Sequence, residues 1–204
     1  DLSSRDLVSL ISDSSPAPGG GSVAALAGAL GAALLSMVGS LTHEKKEYLS
    51  SREKMNEIGI SAQGLMSRLT YLVEEDTKAF NEIMKANRLP NGTAEQKRHK
   101  ERKIAHANNY AIEIPLQTAK LSLEVIELSI ELVKHGNPNS VTDSEVAAEV
   151  GLAGVRGACM NVLINISGSK NTEYKKLKKE IDSIIEKACA LHKKAFNDTK
   201  KMIN

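Results

Sequence analysis

Apolar residues recur every three or four positions along most of the chain, the period of a helix with one buried face. The first such segment, Leu2 to Ile11, carries Leu2, Leu7, Leu10 and Ile11 on one side and stops at Asp13-Ser14-Ser15-Pro16-Ala17-Pro18, where two prolines end any helix. Gly19-Gly20-Gly21 follows, and Ser22 opens a predicted helix to Thr42. A second long pattern runs from about Glu44 to Asn87, with Leu65, Leu69, Leu72, Phe80 and Ile83 on one stripe, and ends in the turn Arg88-Leu89-Pro90-Asn91-Gly92. Thr93-Ala94-Glu95-Gln96 reads as a capping box for the next helix, which Pro115 is expected to kink or break. His135 to Ser140 forms a further break, and Thr142-Asp143-Ser144-Glu145 reads as a second capping box before a nearly uncharged helix from Val146 to Ile166. The last pattern, Thr172 to Ile203, sets apolar residues against a Lys-rich face, as a peripheral helix does.

The fold class expected is therefore all-α: one domain over residues 1–204, an up-and-down helical bundle with long helices. With 204 residues, 41% of them hydrophobic, the chain can build one sizeable core. Aromatic residues make up only 3% and Trp is missing, which argues against a β-sandwich and against a base-stacking surface. The net charge of +2 gives no basic field for a nucleic acid. Cys159 and Cys189 fall in helical patterns without CxxC spacing and read as reduced, packed thiols of a cytoplasmic protein.

From Ser14 to Thr42 no side chain ionises, a length that would suit a membrane span. Gly and Ala dominate it, however, and contribute little transfer free energy, so a buried helix is expected and no membrane. Ala24, Gly28, Ala32, Ser36 and Ser40 form a row of small residues that admits another backbone at a bundle centre or a subunit interface. The Val146 to Ile166 helix repeats the theme with Gly151, Gly154, Gly157 and Ala158. Two such helices predict a homodimer or larger even assembly, formed through the small-residue helices.

Candidate chemistry sits at a few odd positions. On the stripe from Leu65 to Ile83 the missing apolar position is Asp76. A carboxylate there must be paired, hydrogen-bonded or raised in pKa, which suits either a structural tie or an acid/base catalyst. Three glycines before a helix leave orphan N–H groups open to a ligand, unless the run is an ordinary turn with Ser22 as N-cap. Arg156 is the one basic residue inside its helix; Asn161 and Asn165 lie one turn apart and either bridge helices or face a polar heterocycle. The five histidines show no HExxH or related spacing, so no metal is expected.

Read together, these segments resemble the formiminotetrahydrofolate cyclodeaminase and methenyltetrahydrofolate cyclohydrolase family. The stretch Ser15-Pro16-Ala17-Pro18-Gly19-Gly20-Gly21-Ser22-Val23-Ala24-Ala25 is similar to its PxPGGGSxAA opening. Lys45-Lys46 with Tyr48, Asp76 within Glu75 to Phe80, Pro115-Leu116, Gly136-Asn137-Pro138-Asn139 followed by Asp143, and Asn161 to Asn165 match in the same order. The resemblance implies a dimerising helical subunit that binds a reduced folate as substrate, without a further cofactor. Gly19, Gly20, Gly21 and Ser22 would lie at the ligand with Asn137, Asn139, Asp143, Asn161 and Asn165. Asp76 would be the acid/base, and Lys45, Lys46 or Arg156 would meet the glutamate tail. Cyclisation of 5-formiminotetrahydrofolate with loss of ammonia is the leading expectation, and hydrolysis of the methenyl bridge on the same site the alternative. A helical assembly or folate-carrying module without turnover is the third.

Overall fold

The computed structural model describes residues 3–168 and 171–204, and among these there are helices and no strand. In chain order they are α1 (Ser4–Ser12), α2 (Gly20–His43), α3 (Arg52–Asn87), α4 (Ala94–His135), α5 (Val141–Ile166) and α6 (Glu173–Ile203), with single 3₁₀ segments at Lys46–Ser51 and Pro138–Ser140. Leu2, expected to help open the first helix, lies outside the described residues. Ser3 and Asp6 cap α1 reciprocally, and Thr93 and Gln96 do the same for α4 as their spacing predicts.

Three local expectations change. The 3₁₀ segment after α2 delays the next α-helix from Glu44 to Arg52. The Thr142–Glu145 capping box does not form, because Pro138–Ser140 runs straight into α5 and Thr142 already lies in its first turn. Most informative is Pro115, which neither breaks nor ends α4. Proline lacks the N–H that would bond the carbonyl four residues back, here Ala111. Asn165 Nδ2 of α5 donates to that Ala111 carbonyl at 2.7 Å, so the helix continues with its orphaned acceptor satisfied.

Helix α2 runs through the centre, packed along α3, α4 and α5. Its small residues serve this internal crossing: a Cβ on Gly28 would lie 2.4 Å from Ser122 Oγ of α4, and one on Gly154 of α5 would lie 2.7 Å from the same atom. Of the two expected uses of that row, the bundle centre is the one seen within the chain. Leu35, Met55, Leu69 and Leu72 fill the core on the α3 side, and Ile126, Val155, Val162 and Ile181 fill the α6 side. Both α2 and the stretch Pro138–Ile166 are long and apolar enough to cross a membrane, and about half of each apolar window (56% and 44%) is buried against the other helices. Cys159 is fully buried and burial pushes its thiol up to about 11, whereas Cys189 is exposed, one position off the buried Ala188 on α6. The expectation of two packed thiols therefore holds for one of them.

Since α2 and α5 lie antiparallel, Gly20 approaches Asn161 while Gly31 meets Ala147. At the far end Asn137 N–H donates to Thr42 Oγ1 at 2.9 Å. The 24 residues of α2 separate the two ends by about 36 Å.

Candidate active site

Asp76 follows Leu69 and Leu72 on the buried stripe of α3 but points at the first turn of α2. Helix α2 begins at Gly20 with Gly19 as N-cap, two residues before the expected start, and no side chain caps it. Ser22 is thereby inside the first turn, and its hydroxyl, not needed as an N-cap, donates to Asp76 Oδ2 at 2.9 Å while lying 3.4 Å from Thr77 Oγ1. Gly21 makes the approach possible, since a Cβ there would fall 2.1 Å from Asp76 Oδ1. Burial raises the Asp76 pKa above the ordinary carboxylate value, against the opposing pull of the Ser22 hydroxyl and backbone N–H. On the other side of the turn, a Cβ on Gly20 would stand 3.7 Å from Asn161 Nδ2. Asn161 uses that nitrogen on its own helix, donating to the Gly157 carbonyl at 2.9 Å.

The structure thus gathers Gly19, Gly20, Gly21, Ser22, Asp76 and Asn161 at one end, with Asn165 behind them holding α5 to α4. Arg156 is exposed on α5 beside Gly157, at the level of Ala24. Lys45, Lys46, Asn137, Asn139 and Asp143 are not brought to this end within the chain. They follow the C-terminal ends of α2 and α4, where Asn137 Oδ1 accepts from Asn139 N–H at 3.1 Å and shapes the turn. The distance is simply the length of α2.

Sequence reasoning missed Glu75. It is only 5% exposed and accepts from Lys78 Nζ at 2.6 Å and from the Tyr110 hydroxyl of α4. Lys78 foremost, then Tyr110, hold its carboxyl below the usual range, against desolvation. The i,i+3 Lys was visible in the sequence; Tyr110, 35 residues away, was not. Beside Thr77 a cleft of about 450 Å³ opens between the Ser15–Ala17 turn and α3, walled by Phe80 and bearing Lys85 and Arg88.

Residues 3–184 match the family described as formiminotransferase-cyclodeaminase. The chain belongs to that family. It is 34% identical over 195 residues to a methenyltetrahydrofolate cyclohydrolase from Methylorubrum extorquens, a match covering 95% of this chain and 94% of that one. It is also 34% identical over 189 residues to the formimidoyltransferase-cyclodeaminase of Rattus norvegicus, where it covers 92% of this chain but 35% of the longer rat protein. The fold is that of the formiminotetrahydrofolate cyclodeaminase from Thermotoga maritima, with a TM-score of 0.80, 25% identity and 98% of this chain covered.

As a formiminotransferase-cyclodeaminase family enzyme, the chain has at the start of α2 what proton transfer needs. A half-buried carboxylate with a raised pKa and one hydroxyl partner holds a proton more readily than a free carboxylate and can both take and return one. Ser22 N–H is met by Asp76, and the first-turn N–H groups of Gly20 and Gly21, which no N-cap side chain covers, stand beside it toward a lone pair or an anion. Elsewhere, Glu145, Glu149 and His192 bring one ligand atom each to within 4.8 Å of one another between α5 and α6. No spacing along a single helix could reveal that group.

Proposed function

We propose that this enzyme closes 5-formiminotetrahydrofolate to 5,10-methenyltetrahydrofolate with release of ammonia, and that Asp76 carries the proton. The N10 amine attacks the amidine carbon held on N5, forming the new C–N bond, and Asp76 takes the N10 proton. Asp76 then returns a proton to the departing nitrogen, the old C–N bond breaks, and ammonia leaves with the electron pair. One carboxylate serves both transfers because its pKa lies above the ordinary range. The observation that carries the reading is the Ser22–Asp76 contact at 2.9 Å, over a glycine that leaves room for it.

A second reading, methenyltetrahydrofolate cyclohydrolase, is favoured by the Methylorubrum extorquens relative, whose length this chain matches almost completely. Water would then add to the methenyl carbon while Asp76 accepts its proton, and one C–N bond of the bridge would open. Both readings are tested by following the methenyl absorbance. Its appearance from 5-formiminotetrahydrofolate with ammonia release supports the first, its loss from supplied methenyltetrahydrofolate supports the second, and neither change overturns both in favour of a module without turnover.

The working unit in this reading is a cytoplasmic homodimer. Val23, Leu30, Met37 and Leu41 are exposed along α2, spaced by seven, seven and four, and form an apolar seam on its outer side. A seam of this kind complements itself under a two-fold axis. Antiparallel pairing of two α2 helices sets the C-terminal end of one against the N-terminal end of the other. Lys45, Lys46, Asn137, Asn139 and Asp143 of the second copy then complete the folate site around Asp76. The cations Lys45 and Lys46 of that copy, or Arg156, take the glutamate tail.

A further inference from the structure

The α5–α6 contact holds a set of donors that the folate chemistry does not use. Glu145 and Glu149 stand one turn apart on α5, and His192 faces them from α6. Glu145 Oε1 and His192 Nε2 are both fully buried and neither has a hydrogen-bond partner among the described residues. They lie 4.0 Å apart, beyond hydrogen-bond reach, so protonating the imidazole would still leave the glutamate oxygen unmet. Glu149 Oε1 is 2.9 Å from the same ring nitrogen, without the geometry of a hydrogen bond. The other Glu145 oxygen is engaged by the Thr199 hydroxyl at 3.4 Å, which orients the carboxylate and turns Oε1 inward.

A buried carboxylate oxygen with no hydrogen bond beside a ring nitrogen that meets Glu149 only out of line is costly, and a cation between them removes the cost for both. Ligands that share one ion at about 2.0–2.2 Å stand from about 3 Å apart, when adjacent, to about 4 Å, when nearly opposite, and the distances of His192 Nε2 to Glu149 and to Glu145, 2.9 and 4.0 Å, span that interval. The Glu145 and His192 side chains are 13% and 19% exposed and Glu149 is 54% exposed, so the group is closed toward the core and open toward solvent. Further ligand positions can therefore be filled by water. One nitrogen and two carboxylates suit a borderline divalent ion such as Zn²⁺ or Mn²⁺ better than a soft or a purely oxygen-seeking one.

We infer that Glu145, Glu149 and His192 form a divalent-metal site that clips α6 to α5, separate from the Asp76 site. The ion would fasten the Lys-rich outer helix through its C-terminal half, where Thr199 is also buried. Its role is structural, because nothing of the Asp76 cluster faces it.

The test uses the full chain freed of metal with a chelator. Titrated Zn²⁺ is followed by calorimetry and Tm, and Co²⁺ by its visible absorption, which reports nitrogen and oxygen ligands. The expected result is one ion bound per chain and a Tm raised by several degrees. Affinity should fall at least about tenfold in both His192→Gln and Glu145→Gln. Glu149→Gln, at the solvent side, should fold normally and weaken binding less. Binding that persists unchanged in His192→Gln and Glu145→Gln, or a Tm indifferent to both ions, would overturn the site and leave the trio an ion pair between helices.

Discussion

At the far end of the bundle, polar side chains are consumed by the backbone: Asn137 Oδ1 takes the Asn139 N–H, and Thr42 Oγ1 takes that of Asn137. At the near end the opposite holds. The first turn of α2 has no side-chain cap, and Asp76 is half-buried with a hydroxyl, not a cation, as its side-chain partner. One end is finished as a folded surface and the other is left with unspent donors and a displaced pKa. That difference, rather than residue type, is what supports placing the proposed chemistry at the near end, since Asn, Asp and Gly occur at both ends.

The largest test of this contrast is Asp76→Asn, which should fold and bind folate while losing about 10²–10⁴ in turnover, as loss of a placed acid/base does. Steady-state rates on both folate substrates measure it, and full activity would remove Asp76 from the mechanism. Leu30→Glu, on the exposed seam of α2, should yield a monomer by light scattering and lose most activity with it, because the two ends would no longer meet. An active monomer would break the composite site and leave Asp76 to work with near-end residues alone. Gly21→Ala should displace the Asp76 carboxylate and destabilise by about 1–3 kcal/mol of overpacking, read by denaturant unfolding. Asn165→Ala should cost about 1–3 kcal/mol by the same measurement without a direct effect on the proton transfer, since it strands the Ala111 carbonyl.

The smallest effect contrasts two neighbours on α3. Asp76 has a raised pKa, so its contribution to stability is full below the unfolded value of about 3.9 and is lost as pH rises through the folded pKa. At pH 7 the wild type therefore carries a cost that Asp76→Asn lacks, and the variant should melt slightly higher there, with the gain gone below about pH 4. Glu75 is lowered, so its contribution is present above about pH 4.3 and disappears as pH falls through its folded pKa. Glu75→Gln should melt lower than wild type at pH 7 and approach it in acid. Tm profiles of the two variants with the same sign would show that their environments are not opposed.

Helix number, the cap at Thr93, and the buried central helix were legible because each is written locally, in a period, a box or a row of small residues, whereas the Ser3–Asp6 box that caps α1 went unread. Asp76 stood out for the same reason, as the charge interrupting an apolar stripe. What could not be read depends on contacts between helices. The fate of Pro115 was decided by an amide 50 residues away, and Glu75 is held from α4 as well as from its own helix. The separation of Lys45 and Asn137 from Asp76 follows from helix length once the antiparallel order is known, but motif order along the chain gave no warning of it.

The Asn165–Ala111 bond also constrains how this chain can change. Pro115 and Asn165 serve one carbonyl: the proline removes its helical donor and the asparagine replaces it. Pro115→Ala would restore an N–H competing for that oxygen and free the amide, so Asn165→Ala would cost less beside it than alone. The two positions are epistatic. A lineage can cheaply lose the asparagine only after losing the proline, and the order of substitutions is set by a single acceptor atom.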